Sequence, residues 1–141
     1  MLEPRELLNV RQCLAGAEAE YRSQAGLTRL AEGLALVDDV IAAGSPQHAK
    51  TAQTLASTYA ARIYGRINKL IESDPGLPEP ELEHFFKLVL AFDQTGVELP
   101  PSAKTLKIEV VRRLIDRYYE GHPAERKQQA LRELQQLSGR D

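Results

Sequence analysis

The chain has no tryptophan, one methionine and one cysteine in 141 residues. With Cys13 alone, no intrachain disulfide can form, so nothing points to an oxidising compartment. Long apolar runs are missing too. The longest, Leu88 to Phe92, falls far short of the ~20 residues a membrane-crossing helix needs. The N-terminal stretch MLEPRELLNV breaks its apolar residues with Glu3, Arg5 and Glu6, unlike a signal-peptide core. Neither sign of charge dominates. Eighteen Lys and Arg face twenty Asp and Glu, for a net charge of −2. The pI near 6.0 is not the electrostatic footprint of a general nucleic-acid binder, whose domain usually lies above about 9.

The usual catalytic signatures are absent as well. There is no glycine-rich phosphate loop, no G-x-S-x-G elbow, no C-x-x-C and no H-E-x-x-H. These absences set the first expectation: a cytoplasmic protein, not an enzyme, with no cofactor and no membrane attachment.

What is present is helical period. Hydrophobic residues make up 43% and charged residues 27%, the balance of an ordinary globular chain. Leu7, Val10, Leu14, Ala17 and Tyr21 step by three and four, and Leu27, Leu30, Leu34, Val37 and Ile41 repeat the rhythm. Gly44 suits the left-handed end of that second helix. Ser45 and Pro46 then read as a capping hydroxyl and a first-position proline. They open a third helix from about 46 to 73, with Ala49, Ala52, Ala56, Tyr59, Ile63, Ile67, Leu70 and Ile71 on one face.

SDPGLPEPE, residues 73 to 81, is the clearest break in the chain. A fourth helix, about 80 to 95, holds Phe85, Phe86 and Phe92 on a wide stripe and belongs at the centre of the fold. Gly96 ends it. VELPPS is extended because residues before proline avoid helical angles. Ser102 is expected to cap a fifth helix over 103 to 120, and a sixth follows over 124 to 138. No run alternates as a half-buried strand does. The expected fold is all-α. Five to six antiparallel helices form a bundle or a short solenoid-like stack of hairpins, in one domain over 1–141. Two halves, 1–73 and 80–138, are joined by the proline-rich linker 74–79.

After Pro46, the residues Ala49, Ala52, Leu55, Ala56 and Tyr59 resemble the first helix of a tetratricopeptide repeat over about 14 residues. Such a repeat turns soon after its tyrosine and adds a second helix. Here Gly65 reaches Pro75 in ten residues, and no fixed period recurs. The resemblance implies stacked helix hairpins and no more.

Several groups are candidate sites. In KIEVVRRLIDRYYEGHP, residues 107 to 123, Ile108, Val111, Leu114, Ile115, Tyr118 and Tyr119 fall on one arc of roughly 140° at 100° per residue. Arg112, Arg113 and Arg117 lie outside it among Glu109, Asp116 and Glu120. The i,i+4 pairs Glu109–Arg113 and Arg112–Asp116 make this a solvated face and not a phosphate grip. The third helix has the best basic feature. No acid occurs between Asp39 and Glu72, and Arg62, Arg66 and Lys69 form a stripe at i, i+4 and i+7. That stripe suits an acidic partner or a nucleic-acid backbone. The alternative is neutralisation by Glu18, Glu20 or Glu32 of the preceding helices.

Glu81 and His84 have the spacing of a di-iron bundle ligand pair, but no second pair exists and His84 is expected to point away from the core. His48 and His122 are far from each other and from Cys13, which reads as a small core residue. Tyr59 and Tyr64 read as core or interface anchors. A small-molecule pocket would have to form near Phe92, Tyr118 or Tyr119. The last helix buries only a narrow stripe, Ala130, Leu134 and Leu137, with Leu131 beside it. It packs on one neighbour or pairs with a second copy of the chain. The expected function is a non-catalytic protein–protein interaction module, such as an adaptor or an assembly or regulatory subunit, that presents a helical face. The second reading is a small helical subunit of a nucleoprotein complex that uses Arg62, Arg66 and Lys69.

Overall fold

The computed structural model describes residues 5–43 and 45–137, with side chains to Glu133. The fold is an all-α helical bundle, and no strand occurs among the described residues. Six helices follow in order: α1 (Arg5–Ala19), α2 (Gln24–Ala43), α3 (Pro46–Ser73), α4 (Glu79–Ala91), α5 (Pro101–Tyr118) and α6 (Ala124–Leu137). A single 3-10 turn, Phe92–Gln94, extends α4.

α3 is the organising element. It packs against α1 and α2 on one side and against α5 and α4 on the other. Its start is the one read from sequence: Ser45 Oγ accepts the His48 N–H at 3.2 Å, and Pro46 takes the first position. No turn follows Tyr59. The helix runs unbroken for 28 residues, so the stretch that resembles a repeat opens one long helix and not a hairpin. Ala52, Ala56 and Ala60 are buried in its first half, and Ile63, Tyr64, Ile67 and Ile71 in its second. Small residues first and large ones later let α1 and α2 approach closely, while α5 rests on a thicker layer.

α1 and α2 pack most closely against each other. Glycines make that approach feasible. A β-carbon on Gly33 would sit 3.0 Å from Cys13 Cβ and from Leu14 Cδ2, and one on Gly26 would run into the Glu20 carbonyl. The core is continuous from Leu7 of α1 to Ala130 of α6 and includes Leu77 of the proline-rich linker. The two halves on either side of that linker therefore share one interior.

Three local expectations are corrected. α5 begins at Pro101 and not after Ser102, with Pro100 in extended geometry and no side-chain cap, because Pro101 already supplies the helical φ at the first position. Its buried face is rotated from the expected arc. Ile108 is 47% exposed, whereas Val110 is fully buried. α5 is wedged between α3 and α4, which turns Val110 inward and leaves Ile108 on the outside. Finally, α4 closes at Ala91 and tightens into the 3-10 turn, and Gly96 donates its N–H to Asp38 Oδ1 at 3.0 Å. Gly44 lies outside the described residues. No described helix is long and apolar enough to cross a membrane.

Candidate functional site

The basic stripe on α3 meets a carboxylate. Arg62 Nε donates to Glu18 Oε1 at 2.7 Å, and Arg66 Nε donates to Glu18 Oε2 at 2.8 Å. Glu18 is buried at the end of α1, while both arginines stay half exposed. Burial alone would raise the Glu18 carboxyl, but the bonds from Arg66 and Arg62 outweigh it and hold the group below the ordinary glutamate value. The guanidinium groups also lie over aromatic rings, Arg62 at 5.5 Å from the Tyr59 centroid and Arg66 at 5.9 Å from that of Tyr21. Two members of the stripe thus clamp α1 to α3. Lys69 is exposed and has no partner among the described residues.

The turn after α1 is held from α4 as well. Arg22 Nη2 donates to Glu81 Oε1 at 2.9 Å, and His84 Nε2 lies 2.9 Å from the Tyr21 carbonyl oxygen. Tyr21 stacks on Phe85 at 6.0 Å between centroids. His84 is therefore not the outward residue expected from the helical wheel. It is half buried because the α1–α2 turn folds over α4. No group of three or more His, Cys, Asp or Glu among the described residues could hold a metal. Burial, helped by Glu32, pushes the Cys13 thiol upward, as for an inert thiol.

α5 carries two long side chains whose roles the helical wheel missed. Arg117 donates from Nη1 to the Asp74 carbonyl at 3.0 Å and from Nη2 to that of Ile71 at 2.6 Å, which satisfies the end of α3. Lys107 reaches Asp93 Oδ1 at 2.6 Å, with both side chains largely buried. Burial raises the Asp93 carboxyl despite this partner. Neighbouring Tyr64 is fully buried, and its hydroxyl has no hydrogen-bond partner among the described residues. Of the expected α5 pairs, Arg113–Glu109 forms at 3.9 Å, supplemented by Glu72 at 3.5 Å. Asp116 faces Lys127 of α6 at 3.9 Å instead of Arg112, because α6 docks on that side.

Two concavities remain. One, of about 420 Å³, lies where α1, α2 and α3 meet and is floored by Leu7, Leu36 and Val40, with Glu6, Asp39 and His48 at its edge. The other, of about 480 Å³, opens between α4 and α6 over α5. Phe86, Ile115, Tyr118 and Tyr119 form its walls, and Glu83, Lys87 and Glu133 its rim. Tyr118 meets Phe86 edge-on at 6.0 Å and Tyr119 at 4.9 Å. Its hydroxyl donates to Glu83 Oε2 at 2.8 Å, and this bond pushes the phenol up to about 12. On the far side of Tyr119, Arg126 of α6 lies 4.7 Å from the ring centroid and His122 packs edge-on at 5.4 Å.

This groove adjoins Tyr118 and Tyr119, where the sequence placed a pocket if one existed. Phe92 is elsewhere, buried against Tyr64. α6 forms one wall through Ala130, which is buried in the chain's own core. The side chains of Leu134 and Leu137 lie outside the described residues. No protein-family model, no curated protein and no solved structure matches the chain.

Proposed function

We propose that the protein is a non-catalytic interaction module whose groove between α4 and α6 receives a segment of another protein. The observation that carries this reading is the groove itself: three half-buried aromatic rings left open in a concavity with a charged rim. Partly exposed tyrosine and phenylalanine supply rigid contact area at little entropic cost, which is why they are enriched at interfaces. The nucleoprotein reading draws less support, because Glu18 brings a carboxylate onto Arg62 and Arg66 and leaves Lys69 as the stripe's one cation without a partner among the described residues.

The test is affinity capture from native lysate with and without nuclease, using the wild-type chain and a rim variant, Lys87→Glu with Glu133→Arg. Both rim positions are exposed, so the fold is expected to persist. A protein captured by wild type after nuclease and lost in the rim variant supports the groove. Equal capture by both places the interaction elsewhere. Loss on nuclease treatment moves the function to nucleic acid.

A further inference from the structure

Building on the groove reading, we propose that the aromatic corner formed by Phe86, Tyr118 and Tyr119 takes an alkylammonium group, supplied by a lysine side chain of the partner protein. The rings are set nearly at right angles, 77° between Phe86 and Tyr118 and 67° between Tyr118 and Tyr119. Such a corner turns more than one π surface toward a single volume. A cation within ~6 Å of those surfaces is attracted by the ring quadrupoles, most strongly where water is displaced.

The rim fits the same charge. Glu83 is fixed at the corner by the Tyr118 hydroxyl at 2.8 Å, and Glu133 faces it across the groove. Lys87 opposes them on the rim, and Arg126 stands at the Tyr119 ring. Arg126 already uses that ring as a cation platform, and its hydrogen bond to the Tyr119 hydroxyl at 3.3 Å holds it at the back of the corner. The open part of the corner, between Phe86 and Tyr118, is then bordered by Glu83. A neutral aliphatic side chain would fill the same space but leave both rim carboxylates unanswered. A carboxylate or phosphate would meet them as like charges.

Nuclear magnetic resonance titration of the full chain tests this directly, following the ring protons of Phe86 and Tyr118. The probes are Nα-acetyl-lysine methylamide, its trimethyl-lysine counterpart, the uncharged norleucine counterpart and tetramethylammonium chloride. Saturable shifts confined to these rings are expected with both lysine probes. Binding should weaken roughly three- to tenfold in the Glu83→Gln, Glu133→Gln double variant, as for the loss of two exposed charge contacts. Equal shifts with the norleucine probe would make the corner merely apolar. Tighter binding of tetramethylammonium than of either lysine probe would assign it to a free quaternary amine. The absence of saturable shifts with every probe would remove the site.

The groove reading is separable. Partner capture that survives Tyr118→Leu but fails in the rim variant would overturn the lysine assignment and leave the groove standing. Tyr118→Leu keeps apolar volume at a half-buried position, and an unchanged far-ultraviolet spectrum and melting temperature check that it folds.

Discussion

Glu18 decides how α1 sits on α3, and it does so as a single carboxylate shared by two guanidinium groups. Hydrogen bonds to charged groups are worth ~1.5–3 kcal/mol each, and half-exposed arginines return part of that to solvent. Glu18→Gln should therefore cost about 1–2 kcal/mol at neutral pH, measured by urea unfolding. Its pH dependence has a definite sign. The folded carboxyl lies below its unfolded value, so its stabilisation is fully present above the unfolded value and is lost as pH falls through the folded one. The gap between wild type and variant should close below the ordinary carboxylate range. Asp93 behaves in the opposite way, since burial raises it. Lys107→Met keeps the packed stem but leaves Asp93 with no cation. It should cost about 2–4 kcal/mol near pH 7, as when one partner of a largely buried pair is removed. With its only listed cation gone, Asp93 rises further above its unfolded value, and the deficit should shrink as acid protonates it. Unfolding of wild type and variant at pH 7 and pH 4 checks this. A deficit that does not change with pH would mean that Met fails to fit, not that the carboxylate is unpaired.

At the scale of elements, Arg117 shows what the periodic reading of one helix leaves out. On a wheel it lies on the solvated side of α5, and among acids it looks like a surface residue. In the fold it spans to two carbonyls at the end of α3 and joins α5, α3 and the start of the proline-rich linker. Helix ends leave carbonyls without intrahelical partners, and a planar guanidinium answers two of them in a fixed fork. Arg117→Met should destabilise the protein by about 1–2 kcal/mol, while Arg117→Lys should recover less than half, because an ammonium does not reproduce the fork. Amide hydrogen exchange gives a local readout: faster exchange confined to the last turn of α3 in both variants is expected. Uniform acceleration across all six helices would mean that the bonds have no local role.

At the scale of the whole molecule, each helix's existence was legible, because every one carries its own apolar stripe. Pro46 and Ser73 bound α3 as read, since cap and breaker residues sit beside the helix they limit. Partners distant in the chain were far less legible. Glu18 lies 44 and 48 residues from its arginines, and α5 was rotated on the wheel because its face is set by two neighbours at once. The groove was legible only as a neighbourhood, Tyr118 and Tyr119, because its walls come from α4, α5 and α6 together. The same long-range packing bears on how the chain unfolds. The linker at 74–79 suggests separable halves, yet α3 contributes to the interior on both of its sides, and Leu77 of the linker is itself buried. Removing residues 80–138 would expose the apolar surface that α3 shares with α5, at ~25 cal/mol per Å². A half with that surface in water has lost much of what offsets its chain entropy. The full chain should then unfold in one transition, with circular dichroism and tyrosine fluorescence giving the same urea midpoint. The fragment 1–78 should show helix by far-ultraviolet circular dichroism but a shallow, non-cooperative urea curve. Two separated midpoints in the full chain, or a sharp transition in the fragment, would show that each half closes its own core.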